Sequence, residues 1–206
     1  MVKRTFYTIF LKRFFDIFLS CTAILFFSPL FILIILLEII FHGFPIFFVQ
    51  ERIGKDEKKF KLIKFRSMNN KKDSKGELLP GDKRVTRFGR FLRRFSLDEL
   101  PELFNIFVGQ MSIIGPRPLL VCSLPFYSNR HRIRHLIKPG LALVSLKPIK
   151  TWTWSDQFEN DVWYVENCSF LVDFKMLFAV AKEALRGSEY RVNDTREEFN
   201  GDNLFS

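Results

Sequence analysis

IFLSCTAILFFSPLFILIILL, residues 17–37, carries no formal charge over 21 positions. At ~1.5 Å per residue a helix of that length measures about 31 Å, enough for the hydrocarbon core of a bilayer. Two features argue against a simple crossing. Ser28-Pro29 lies near the middle, and proline removes a backbone donor and clashes with the carbonyl four residues earlier. Both flanks are also basic, with Lys3, Arg4, Lys12 and Arg13 before the run and Arg52, Lys55, Lys58, Lys59, Lys61, Lys64 and Arg66 after it. Positive charge stays on the cytoplasmic side, so a spanning helix has asymmetric flanks. The symmetric pattern predicts a helix that enters the membrane, bends at Ser28-Pro29 and returns. A carbonyl freed by Pro29 then needs a partner inside hydrocarbon, and the Ser28 hydroxyl is a nearby candidate. A kinked spanning helix and a buried soluble helix are the alternatives. A cleaved signal peptide is not indicated, because the run is too long and no small-x-small site follows it.

Outward from this run, residues 1–41 read as a basic interfacial lead-in plus the re-entrant helix, 42–187 as a cytoplasmic catalytic domain and 188–206 as a polar tail. Ile46 to Val49 and the alternating Phe60 to Phe65 predict two strands pairing across Gly54-Lys55-Asp56-Glu57. Asn69 to Arg84 is turn-rich and reads as an exposed loop. A helix is expected from Ser96, with Leu97, Leu100, Leu103, Phe104 and Phe107 on one side. Lys138-Pro139-Gly140 to Lys150 reads as a loop. Asp156 to Glu166 looks helical. Leu171 to Leu185 predicts a second amphipathic helix, with Phe174, Leu177, Phe178, Ala181 and Leu185 on one face and Gly187 suited to its C′ position. The expected class is mainly α with a small β-hairpin, in a monotopic membrane protein.

The 206 residues carry a net charge of +10, which suits an anionic lipid surface, an anionic substrate or nucleic acid. Aromatic composition favours lipid over bases. There are 26 Phe against 4 Tyr and 3 Trp, and many of the Phe fall in or beside the apolar run. No base-reading motif is present, so no nucleic-acid partner is expected. Cys21, Cys122 and Cys168 are too far apart for a disulfide framework or a zinc site. His131 and His135 stand at i,i+4 without the intervening Glu of a metalloprotease helix. Their basic run, Arg130 to His135, reads as a solvated or lipid-facing helix.

Ser96-Leu97-Asp98-Glu99 has a structural reading and a chemical one. As structure, Ser-x-x-Glu before an apolar helix is a capping box, although Pro101 shifts the cap later. As chemistry, a carboxylate at a helix start is held ionised by the dipole, and an ionised Asp can attack phosphorus. The adjacent Glu99 adds repulsion toward a diphosphate. A divalent cation resolves that conflict, and Mg²⁺ is expected because it prefers oxygen and binds carboxylate and phosphate together. Arg93, Arg94 and Arg117 are candidate phosphate holders, Arg117 fixed between two prolines.

Several blocks in order carry a family resemblance. They are Lys12-Arg13-Phe14-Phe15-Asp16, Ser28-Pro29, Gln50-Glu51-Arg52-Ile53-Gly54, Lys64-Phe65-Arg66-Ser67-Met68, Ser96 to Pro101, Gly109-Gln110-Met111-Ser112, Gly115-Pro116-Arg117-Pro118-Leu119, Phe158 to Val165 and Phe199-Asn200-Gly201. Together they resemble the bacterial sugar transferases, small monotopic polyprenyl-phosphate phosphoglycosyl transferases. The resemblance implies Asp98 as nucleophile and Mg²⁺ ligand, Glu99 beside it in a catalytic dyad, and Lys64, Arg66, Arg117 and Asp161 around the substrate. It implies transfer of a sugar-1-phosphate from a UDP-sugar to polyprenyl (undecaprenyl) phosphate through an aspartyl-phosphosugar, at the cytoplasmic face of a bacterial inner membrane. The chain departs from the pattern after Lys138-Pro139-Gly140. The usual Thr-Gly-Trp-Ala-Gln and Gly-Arg are replaced by Leu141 to Lys150, where Lys150 is the nearest match to the arginine. The alternative is a degenerate relative that binds lipid phosphate or scaffolds glycan assembly.

Overall fold

The computed structural model describes residues 5–144, 153–186 and Phe199. Lys150, Gly187 and the tail, apart from Phe199, lie outside the described residues. After a π-helical turn at Tyr7–Leu11, helix α1 (Lys12–Phe26) and helix α2 (Ser28–Phe41) form a pair bent by 62°. The break falls at the expected place. Pro29 sits in the first turn of α2, where a missing N–H costs least. The Ser28 hydroxyl donates to the Leu25 carbonyl at 2.8 Å, the carbonyl that Pro29 leaves without its helical partner. Among the described residues no single helix is long and apolar enough to cross a membrane, whereas the bent pair passes by length and composition.

This pair is built inside out. Its polar residues Asp16, Ser20 and Glu38 are buried, while Phe26 and Ile40 are 76% and 72% exposed. Both ends of the pair are fastened to the same body. At the foot of α1, Lys12 Nζ donates to the Ile114 carbonyl, to the Tyr164 hydroxyl and, at 2.6 Å, to Asp173. Arg13 donates to the Ile106 and Phe107 carbonyls, and Asp16 accepts from Ser112 Oγ and the Ile113 N–H, both at 2.9 Å. At the far end of α2, His42 bridges Glu38 at 2.8 Å and Thr86 at 2.7 Å.

The expected hairpin is present. Strand β1 (Phe47–Ile53) pairs antiparallel with β2 (Lys59–Phe65), with Phe47 opposite Phe65 and Ile53 opposite Lys59, across a 3₁₀ turn at Lys55–Glu57. A helical turn α3 (Gly81–Arg84) and helix α4 (Arg87–Arg94) follow. The pattern reading did not find α4, because the Arg-Phe-Gly-Arg-Phe-Leu-Arg-Arg sequence buries only Gly89 and Leu92. Gly89 is required there, since a Cβ would lie 1.9 Å from the Ser67 carbonyl.

The expected helix from Ser96 is corrected. Ser96 is left-handed (φ 54°), its side chain makes no cap, and Leu97–Glu99 is a 3₁₀ turn. The α-helix α5 starts only at Glu102 and runs to Val108, because Pro101 can occupy a helix start but not its interior. Strand β3 (Ser112–Ile114) then pairs in parallel with β4 (Gly140–Ala142), where a loop was expected. Glycines make that pairing possible: a Cβ on Gly140 would lie 2.1 Å from the Gly115 nitrogen. Helix α6 (Trp154–Asn167) opens with a capping box between Thr153 and Asp156, and α7 (Phe170–Arg186) follows it.

A main core joins Phe31 and Ile34 of α2 to Phe60, Leu62, Phe65, Leu92, Leu103, Ile106 and Met111. The apolar faces of α5 and α7 do not all enter it. Phe104, Phe107, Phe174, Leu177 and Phe178 are exposed, while Leu103, Ile106 and Met176 are buried. On α5 part of the expected stripe faces protein, whereas on α7 the expected stripe of Phe174, Leu177, Phe178 and Ala181 is exposed and the buried residue is Met176, outside it.

Candidate active site

Lys64 follows the buried Phe60 and Leu62 on the same face of β2, and the hairpin ladder fixes its position opposite Phe48. Strand β2 is held on its other side by the buried Asn105 of α5, which accepts from the Ile63 N–H and donates to the Lys61 carbonyl. That bracket brings the start of α5 and the preceding 3₁₀ turn beside Lys64. Lys64 Nζ lies 2.8 Å from Glu99 Oε1 and 3.0 Å from Glu102 Oε1. Arg117 Nη2 reaches the same Glu99 oxygen at 3.0 Å, with about half of its side chain exposed. Arg52, Leu62, Pro118, Gly140 and Leu141 complete the wall of this cleft.

Asp98 sits on the same turn, partly buried. Burial is the main cause that raises its pKa above the ordinary carboxylate value, and the charge of Glu99 adds to it. Lys64 and Arg93 pull it down. The expected dipole stabilisation is replaced by proximity to cations, because α5 starts four residues later and is only seven residues long. Glu102 is also raised, first by burial, with Lys64 opposing. Arg93 is itself steadied by a hydrogen bond from Nε to Ser67 Oγ at 2.8 Å.

The Gly115 to Leu119 loop that carries Arg117 is fixed from two sides. Ile53 N–H donates to the Leu119 carbonyl, and Gly140 N–H to the Pro116 carbonyl. From behind, Arg134 Nη2 donates to the Arg117 carbonyl at 2.7 Å. Arg134 is wholly buried, pairs with Asp161 at 2.8 Å, donates to Tyr127 Oη and lies over the Tyr127 and Phe158 rings. The solvated-helix reading of Arg130 to His135 is therefore corrected. His131–Leu136 is a 3₁₀ segment that buries His131, Arg134 and His135, because Asp161, Tyr127 and Phe158 supply partners that no local pattern shows.

Glu99, Lys64 and Arg117 converge, and Asp98 shares the turn of Glu99. Asp161 is 2% exposed and stands one residue back, acting on Arg117 through Arg134. Arg66 donates to the Pro45 carbonyl, bracing the approach to β1. Lys150 lies outside the described residues. Glu102 and Arg134 were not singled out by sequence. Glu102 falls three residues after Glu99, a spacing that was available as a signal.

Among the described residues no three His, Cys, Asp or Glu side chains converge as a metal-binding group. Asp98 offers one carboxylate, while Glu99 and Glu102 each give an oxygen to Lys64. This donor set suits Mg²⁺ carried in with a diphosphate, since Mg²⁺ uses one or two carboxylates and completes its shell with phosphate oxygens and water. It does not suit a protein-only cage.

A family model described as bacterial sugar transferase matches residues 7–187. The chain is 40% identical over 199 residues to a Bacillus subtilis (strain 168) protein named uncharacterized sugar transferase EpsL, covering 93% of this chain and 96% of that protein. It is 34% identical to the UDP-N-acetylgalactosamine-undecaprenyl-phosphate N-acetylgalactosaminephosphotransferase of Aeromonas hydrophila, covering 86% of this chain but 44% of that longer protein. It is 35% identical to the exopolysaccharide production protein ExoY of Rhizobium meliloti (strain 1021), covering 81% and 82% respectively.

Proposed function

This chain belongs to the bacterial sugar transferase family, and from that premise we propose that it moves a sugar-1-phosphate from a UDP-sugar to a polyprenyl phosphate such as undecaprenyl phosphate. The observation that carries the reading is the convergence of Glu99, Lys64 and Arg117 at one cleft, with Asp98 on the Glu99 turn in the field of Lys64 and Arg93, beside the bent helical pair. An Asp98 oxygen attacks the β-phosphorus of the UDP-sugar, and the bond to the α-phosphate oxygen breaks and releases UMP. A phosphate oxygen of the lipid then attacks the same phosphorus, and the bond to Asp98 breaks. Arg117 and Lys64 hold phosphate oxygens, and Arg93 lowers the proton affinity of Asp98. Asp98 would hold Mg²⁺, which when bound would supply charge neutralisation on the diphosphate.

The membrane assignment draws on the outward apolar side chains. Those of α1 and α2 are joined by Phe91 of α4 and Phe95 just after it, Phe104 and Phe107 of α5, and Phe174 and Phe178 of α7. Phe95 and Phe104 stand on either side of the Asp98 turn in sequence. In this reading the hairpin dips into the inner leaflet of a bacterial inner membrane, and the cleft opens at its cytoplasmic face, where a lipid-linked phosphate meets a soluble nucleotide.

A screen of UDP-sugars with Mg²⁺ and undecaprenyl phosphate tests the chemistry through UMP release and capture of sugar-phosphate on Asp98. Release by at least one sugar is expected. A folded protein that releases UMP from none of them would favour the non-catalytic scaffold suggested by the altered 141–150 segment. Accessibility labelling tests the topology, and chain ends on opposite sides of the bilayer would overturn the re-entrant arrangement.

A further inference from the structure

Lys64 is held by two acids rather than one. Its ammonium has three N–H bonds, of which one meets Glu99 at 2.8 Å and another meets Glu102 at 3.0 Å. Glu102 is 4% exposed and lines the cleft together with Lys64, Glu99 and Arg117. A carboxylate placed in this way occupies a position on Lys64 that an incoming phosphate oxygen would want. It also places a like charge against any anion entering the cleft, where partial burial weakens screening. It gives Lys64 a second anchor, so that the ammonium stays in the cleft when Glu99 is drawn toward another partner.

We propose that Glu102 is a positioning residue that acts as an internal counter-anion. It retains Lys64 in the empty cleft, competes with bound phosphate for it, and thereby limits how tightly the cleft holds the nucleotide substrate and the nucleotide product. The proposal rests on the transferase reading above for the identity of the anion, but the competition itself concerns any phosphate. Its consequence for turnover is faster product departure. When UMP leaves, Glu102 takes its place on Lys64, and the cleft returns to its empty state with no buried ammonium left without an acceptor.

The test is calorimetric binding of inorganic pyrophosphate and of UDP to the full chain without divalent cations, alongside UMP inhibition of turnover. Glu102→Gln keeps the shape and removes the charge. Pyrophosphate, UDP and UMP should each bind roughly three- to tenfold tighter, the scale of one removed like charge in a partly buried site. In a Lys64→Gln background the same substitution should give a clearly smaller gain, because the shared partner is gone. If Glu102→Gln does not fold, Glu102→Asp, whose shorter side chain withdraws from Lys64, should tighten binding in the same direction. Unchanged or weakened binding of both pyrophosphate and UDP in a folded variant would overturn the proposal. Tighter pyrophosphate binding in a protein that does not bind UDP would uphold the competition and overturn the nucleotide reading instead.

Discussion

Two groups of buried acids lie in different parts of the molecule and differ in how they are satisfied. At the foot of α1, both Asp173 oxygens are occupied, by Lys12 and Tyr7 on one side and Tyr164 on the other. Asp16 likewise accepts two hydrogen bonds. At the cleft, Glu99 and Glu102 share Lys64, and the charge of Glu99 raises both Glu102 and the neighbouring Asp98. The same residue types therefore do different work. Where acids meet ammonium, hydroxyl and backbone donors, they fasten the bent helical pair to the rest of the chain. Where acids are crowded and partly desolvated, their carboxyls are instead pushed above the ordinary range.

The largest expected effect separates the two groups by activity. Asp98→Asn should lower UMP release by at least ~10³-fold while the far-ultraviolet spectrum and unfolding midpoint stay unchanged. Retained turnover would show that the crowded acid is not the reactive one. Next comes stability at the foot of α1. Lys12→Met leaves Asp173 largely buried without its cation, and should cost about 3–5 kcal/mol in denaturant unfolding. A loss well under 1 kcal/mol would mean that the satisfied group is ornamental.

A third prediction uses pH at the brace behind Arg117. Burial raises Asp161 to about 6 despite Arg134, so between pH 4 and 6 the folded state binds the extra proton and this group makes stability fall as pH rises. Burial lowers His135 to about 4, so the unfolded state binds the extra proton and this group makes stability rise from pH 4 to 6.5. The two oppose each other in the native chain. His135→Phe keeps a ring against Tyr127 and removes one of them. Unfolding at several pH values should then show stability declining from pH 4 to 6, and a steeper rise would contradict the Asp161 assignment. The smallest effect is expected at the surface. Arg130 pairs with Glu159 in solvent, and Arg130→Ala should leave the unfolding midpoint and the activity where they were.

Much of the hairpin was legible because its causes are local. Proline and the Ser28 hydroxyl act within a few residues, and the alternation of Phe60 to Phe65 points to a strand on its own. Reading failed where a partner lies far along the chain. Arg134 looks like one more surface arginine until Asp161, 27 positions away, and Tyr127 meet it. Helices α5 and α7 showed apolar stripes, but periodicity cannot say whether a stripe meets protein or lipid.

By itself the sequence determined the broken helix, the antiparallel hairpin and the adjacency of Asp98 and Glu99, because backbone donors, proline sterics and side-chain alternation are short-range. The tertiary structure decided which acids find donors. Glu99 meets Lys64 across 35 positions and Asp173 meets Lys12 across 161. A carboxylate's charge state and role depend on those neighbours and on the water excluded around them, and neither is written next to it in the chain.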